Sequence, residues 1–449
     1  MLKVITLLKT REQIFSRSEK SLNQAFQRDV RFKLPLVEKE EPAAFTSFRS
    51  RRHLSLVIFA ILLVSALGCA SILEGSVWSE SEHVGSGAVR PIGEFSAASN
   101  FDELKLVILE IVERLEDSGR ILIYSYDGDI QEDVDQAIYE ILRNHPVGAF
   151  AVYDILGEVS TIVTHFEVGI NVEFSRSDQQ MESIVFIESI YELEAYILKA
   201  MRAYEDELII RTSLKDITLM SLEELIWETY YSNPRHIIMM PSVAITVFPE
   251  SGTDRIFEIH FGHMQSSAIL GRRTTTLIGS VVHNADAAVG ETDAATDAET
   301  VLALVERLIR ASDFDEGAAR VISEHGVQNP LATAFGALVN GSAVGEGFAM
   351  AFKALCDELG IWNQVVLGEL YGMIHAWNIV YLDGNYYHID VAMAALNGIE
   401  YAFLKNDDMF LYLNYSWDWA AVPRANGVLT YDEVRNMTIP TYDEDEYAE

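Results

Sequence analysis

Two cysteines in 449 residues, Cys69 and Cys356, are too few for a disulfide framework. Basic residues are scarce as well: 33 Lys and Arg stand against 68 Asp and Glu, a net charge of −35. A nucleic-acid binder needs a basic footprint, so that class of partner is excluded. The eleven histidines are scattered, with no HExxH and no Cys–His spacing, so neither a metal nor another cofactor is expected. What is present suits globular domains. Hydrophobic residues make up 49% and charged residues only 22%, which excludes a largely disordered chain, and the length accommodates two or three domains.

The charge is unevenly spread. Residues 1–53 hold twelve Lys and Arg against six Asp and Glu, which leaves about −41 on the remainder. Next comes LSLVIFAILLVSALGCASIL, residues 54–73, twenty residues without a charge. As a helix this run is about 30 Å long, enough to span a bilayer. Arg49, Arg51 and Arg52 precede it and Glu74 follows, so the positive-inside rule leaves residues 1–53 as a basic cytoplasmic tail. The bulk of the chain is then extracytoplasmic, at the cell membrane. A buried core helix is the alternative reading of this run. Ala66-Leu67-Gly68-Cys69 also resembles a bacterial lipobox, in which Cys69 would be lipidated after cleavage, although Ala66 stands where Leu is usual and the leader is long. Residues 74–100, rich in Ser, Gly and Glu, are expected to be a spacer.

Regular patterning begins at Phe101 and occurs twice. Residues 101–180 read as helix, strand, helix and paired strands, and residues 181–265 repeat the order. Asn144-His145-Pro146 and Asn233-Pro234 close the second helix of each copy about 88 residues apart. The pattern is a duplicated α-β-α-β-β unit suited to binding or spacing, with no catalytic constellation in either copy. Asp127-Gly128-Asp129 lacks further spaced oxygen ligands and reads as a turn. Residues 280–298 are rich in Ala, Asp and Thr without periodicity, and 266–298 is expected to form a linker.

The chemistry-bearing stretch runs from Gly341 to Asp390. Phe348, Ala351, Phe352, Leu355 and Leu359 make one apolar helical stripe that Gly360 terminates. Gly345 opens this helix, where backbone N–H groups and the positive dipole end would stabilise a thiolate or oxyanion. Further on, Asp383-Gly384 predicts a two-residue hairpin turn between alternating strands. In that register Trp377 opposes Asp390, and His375 is the diagonal neighbour of Asp390 on the same face, within hydrogen-bond reach. His388 shares the strand and face of Asp390. The pair is either a structural His–Asp contact or an oriented base with its carboxylate.

The segments AFGALVNGSAVGEGFAMAFKALCDELGI, HAWNIVYLDGNYYHIDV and YAFLKNDDMFLYLNYSWDWAAVP resemble bacterial transglutaminase-like domains of the papain-like cysteine superfamily, over about residues 299–425. The resemblance implies a Cys–His–Asp triad in which His375 and Asp390 are the second and third members. Gly345 falls at the cysteine, in a motif that usually reads Val-Cys-Glu-Gly-Tyr. Met393 and Ala394 also depart from the Trp and acid expected after the Asp. Neither substitute for the thiol is convincing. Cys356 is eleven residues along the helix, about 16 Å away, and reads as a buried structural thiol. Ser342 is out of register and needs tighter activation.

The expected architecture is therefore α+β, with a transglutaminase-like domain at 299–430, the duplicated region and membrane segment before it, and an acidic tail at 431–449. The expected function is a catalytically degenerate member that binds a peptide, protein or cell-wall ligand. A residual hydrolase using a non-standard nucleophile and a purely structural surface protein are the alternatives.

Overall fold

Asn100 and Ser189 start equivalent helices for the same local reason. Each side chain accepts a hydrogen bond from the backbone N–H three residues on, Glu103 and Glu192 respectively, satisfying a donor the helix cannot. The computed structural model describes residues 96–291, 296–322 and 328–437. The first unit comprises β1 (Ser96–Ala97), α1 (Phe101–Glu113), β2 (Ser118–Ile123), α2 (Ile130–Asn144), α3 (Pro146–Ala151), β3 (Val152–Ile162) and β4 (His165–Phe174). After α4 (Asp178–Glu182), the second comprises β5 (Val185–Ile187), α5 (Ile190–Ala203), β6 (Glu207–Thr212), α6 (Leu219–Ser232), β7 (Ser242–Phe248) and β8 (Arg255–Gly262). Their sheets have corresponding strand orders, β1-β2-β4-β3 and β5-β6-β8-β7. In each, a short leading strand pairs parallel and the remaining pairings are antiparallel.

Three details of these two units and the segment after them differ from the sequence reading. The spacer expected to reach residue 100 ends earlier, because Ser96 and Ala97 already pair with Ile121 and Leu122. Pro146 does not simply stop a helix. It is the first residue of α3, where its missing N–H costs nothing. Most consequential, the linker expected at 266–298 is mainly the 25-residue helix α7 (Ser267–Glu291). Its Leu270, Leu277, Val281, Ala285 and Ala288 are buried along one stripe. Alanines supply two of these five positions, so the apolar period is faint in the sequence.

The rest of the chain forms α8 (Asp297–Ala311), β9 (Asp313–Phe314), α9 (Glu316–Ala319), β10 (Ser342–Ala343) and α10 (Gly345–Glu358). These lead into β11 (Asn363–Leu370), β12 (Met373–Leu382), β13 (Asn385–Ile389), α11 (Val391–Asn397), α12 (Ile399–Ala402), α13 (Asp407–Tyr412), β14 (Tyr415–Trp417) and α14 (Tyr431–Met437). The strands make an antiparallel sheet in the order β13-β12-β11-β14, and α10 packs on β12. The mixed helices and sheets make the chain α+β. The tail expected from residue 431 begins inside this fold: α14 buries Val434, and Tyr431 meets Phe403 edge to face.

The second unit and the C-terminal sheet do not have separate cores. One apolar cluster runs from Ile197, Leu222 and Phe257 through Leu277 and Val281 to Phe348, Phe352 and Ile389. Phe348 and Phe352 are fully buried, each worth about 1.5–3 kcal/mol. The first unit has its own core, which Ile209 and Ile256 of the second unit join and against which Phe248 packs. Among the described residues no helix is long and apolar enough to cross a membrane. The run at 54–73 and Cys69 lie outside the described residues.

Candidate functional site

The turn after β12 fixes the geometry. Asp383 and Gly384 have φ of 48° and 86°, the pair of positive values that a type I′ turn requires. Leu382 therefore faces Asn385 and Asn378 faces Ile389, the register the sequence predicts, and Asp390 follows at the end of the strand. His375 Nε2 then lies 2.6 Å from Asp390 Oδ2. An ionised carboxylate only accepts, so Nε2 carries the proton and Nδ1 is left facing the other way.

That other side is the start of α10. A Cβ built on Gly345 would lie 2.6 Å from His375 Cε1 and 2.8 Å from Nδ1. Real Cβ atoms do not approach this closely, so the imidazole occupies the space a side chain at 345 would take. The three positions picked out from the sequence are thus together, with the ring between a carboxylate and a bare backbone.

Asp390 is almost wholly buried and its oxygens are fully used. Oδ2 also accepts from the Tyr415 hydroxyl at 2.8 Å, and Oδ1 accepts from the Met393 N–H at 3.0 Å, capping α11. Burial and the nearby Asp390 charge push the Tyr415 phenol well up, so it stays protonated and donating. Tyr415 was not found from the sequence. It reaches Asp390 from β14, which pairs with β11, and no local spacing links the two. Met393, one of the departures noted above, gives Asp390 its backbone N–H and packs its side chain against the aromatic cluster below.

His388 is fully buried and belongs to a second, structural pair. Trp377 Nε1 donates to His388 Nδ1 at 3.1 Å, so His388 must donate from Nε2 to Asp407 Oδ1, also at 3.1 Å. Burial pulls its pKa down, against the pull of Asp407, and the neutral ring matches this bonding. Burial acts to raise Asp407, but the bonds from His388 and the Ala425 N–H hold it low. Trp377, Phe410, Tyr415 and Trp417 pack around the pair and support the floor beneath His375.

Residues flanking Gly345 are fixed by packing. Glu346 is buried and accepts from the Tyr231 hydroxyl of α6 at 2.9 Å. At Gly347 an added Cβ would run into the Leu331 carbonyl oxygen and lie 2.9 Å from Ala343 Cβ. Cys356 is buried, and burial pushes its thiol up to about 12, which disfavours a thiolate. Ser342 is held in β10 opposite Asp313. A surface hollow of about 620 Å³, lined by residues including Tyr401, Lys405, Met409 and Tyr412, lies on α12 and α13 and does not include Gly345 or His375.

No family model matches the chain, and no curated protein matches it. Matching solved structures include a crystal structure of a transglutaminase, at 13% identity and a TM-score of 0.23, covering 49% of this chain and 60% of that one. Another is a protein of Cytophaga hutchinsonii described as a cysteine protease, at 15% identity and a TM-score of 0.20, covering 41% of this chain and 70% of that one. At these values neither match assigns the chain to a family.

Proposed function

We propose that this is a membrane-tethered, extracytoplasmic transglutaminase-like protein that has lost its nucleophile and binds peptide or cell-wall material. The observation that carries the reading is at Gly345: the imidazole that would activate a thiol fills the thiol's place. His375 keeps the orientation an acyl-transfer base needs, through Asp390 and Tyr415, but nothing at 345 can attack a carbonyl. Loss of the nucleophile in another hydrolase triad costs about six orders of magnitude in rate, so acyl-enzyme turnover is absent. The uncharged run at 54–73 with its preceding arginines supports the tether.

The full chain is assayed for amine incorporation and peptide hydrolysis, and separately for retention on cell-wall sacculi and model peptides. Retention without turnover is expected. Turnover that disappears in His375→Ala sinks the degenerate reading, and failure to retain any of these ligands sinks the binding role.

A further inference from the structure

A second cluster of chemistry-bearing groups lies on the second sheet, away from His375. Glu207 of β6 faces His260 of β8 directly across the strand pair, and Glu258 lies two residues before His260 on the same face. His260 Nδ1 is 3.7 Å from Glu207 Oε1, and its Nε2 is 3.6 Å from Glu258 Oε1. One ligand atom from each residue can be chosen so that all three lie within 4.8 Å of one another.

Glu258 gives the independent indication that something belongs here. Its side chain is only 4% exposed, and Arg176 of the first unit satisfies Oε2 at 2.8 Å. The guanidinium is itself fixed by stacking on Phe150, 4.6 Å from the ring centre. Oε1 is buried, points at His260 and has no hydrogen-bond partner. Natural folds rarely leave a buried carboxylate oxygen unmet without a ligand or function to account for it.

We propose that Glu207, Glu258 and His260 bind a divalent transition-metal cation of the Zn²⁺ type. Two carboxylates and one imidazole are a mixed oxygen–nitrogen donor set that suits Zn²⁺, whereas Ca²⁺ and Mg²⁺ take oxygen ligands only. With bonds of about 2.1 Å in a tetrahedral shell, the ligand atoms must come within about 3.4 Å of one another, and water completes the shell. The half-exposed His260 and the partly exposed Glu207 can close that gap around the buried Glu258. Two of the ligands cross-link β6 to β8. The third is the residue that Arg176 grips from the first unit, so the ion reinforces the junction between the two units.

The full chain, stripped with a chelator, is titrated with Zn²⁺ by calorimetry and by its thermal midpoint. One binding event with a raised midpoint is expected, weakened at least about tenfold in His260→Ala and in Glu207→Gln and retained in His375→Ala. Both test variants alter side chains with solvent access, so folding is preserved while Glu258→Gln adds the buried ligand to the series. Equal Zn²⁺ affinity in wild type and His260→Ala overturns the site, as does an unshifted wild-type midpoint. Ca²⁺ raising the midpoint as effectively as Zn²⁺ overturns the choice of cation.

Discussion

Replacing Gly345 with cysteine asks whether the His375–Asp390 frame is still built for a nucleophile. The introduced Cβ would sit 2.6 Å from the His375 ring, where ordinary contact begins near 3.4 Å, so the ring must retreat by about 0.8 Å. Its far edge is tied to Asp390 at 2.6 Å and cannot yield in that direction, so the ring must swing aside, and the lost alignment forfeits most of the bond. A hydrogen bond to a charged group is worth about 1.5–3 kcal/mol, and removing a helical glycine returns about 0.5–1 kcal/mol. The variant should therefore lose about 1–2 kcal/mol, read from urea unfolding. Its thiol, at a helix start and beside the imidazole, should ionise in the range of about 3.5–7.5. The assay is the rate of iodoacetamide alkylation against pH in a Cys69→Ser background; Cys356 is silent, with its thiol pushed up to about 12 by burial. A fully stable variant whose alkylation rises only near the ordinary thiol value of about 8.5 refutes the reasoning.

Three further outcomes follow from the packing. Burial lowers the pKa of His388, with His145 and His236 moved the same way, so the unfolded chain binds more protons once pH drops below about 6.5. Their contribution to stability is present above that value and is lost as pH falls through the lowered folded pKa values, at up to about 1.4 kcal/mol per pH unit for the buried His388; unfolding titrations of His388→Gln should show a shallower slope there. Gly347→Ala should cost about 3 kcal/mol, because its Cβ meets backbone at Leu331. Gly279→Ala on the exposed side of α7, with nothing within 4 Å, should gain about 0.5–1 kcal/mol; calorimetry of both variants gives the contrast.

The hairpin was legible in the sequence because a local signal, Asp383-Gly384, sets a register that then places His375 and Asp390 without further information. The duplicated helices were legible for a similar reason: caps and apolar periods are local. What escaped notice is long-range or chemically faint. The α7 helix hides its buried stripe in alanines, Tyr415 reaches Asp390 from a strand 25 residues on, and the shared core joins the second unit to the C-terminal sheet. The Glu207–Glu258–His260 cluster lies on two strands whose pairing no motif announces.

The first turn of α10 divides its obligations unevenly. Glu346 answers to Tyr231 in a neighbouring unit, and Gly347 answers to the Leu331 backbone, so changing either one disturbs the architecture. A side chain at position 345 would meet the His375 imidazole first and the Ala376 carbonyl only at ordinary contact distance. A change there leaves the Tyr231 and Leu331 contacts of its neighbours in place, so the surrounding motif persists whatever chemistry position 345 performs and is a poor witness to activity.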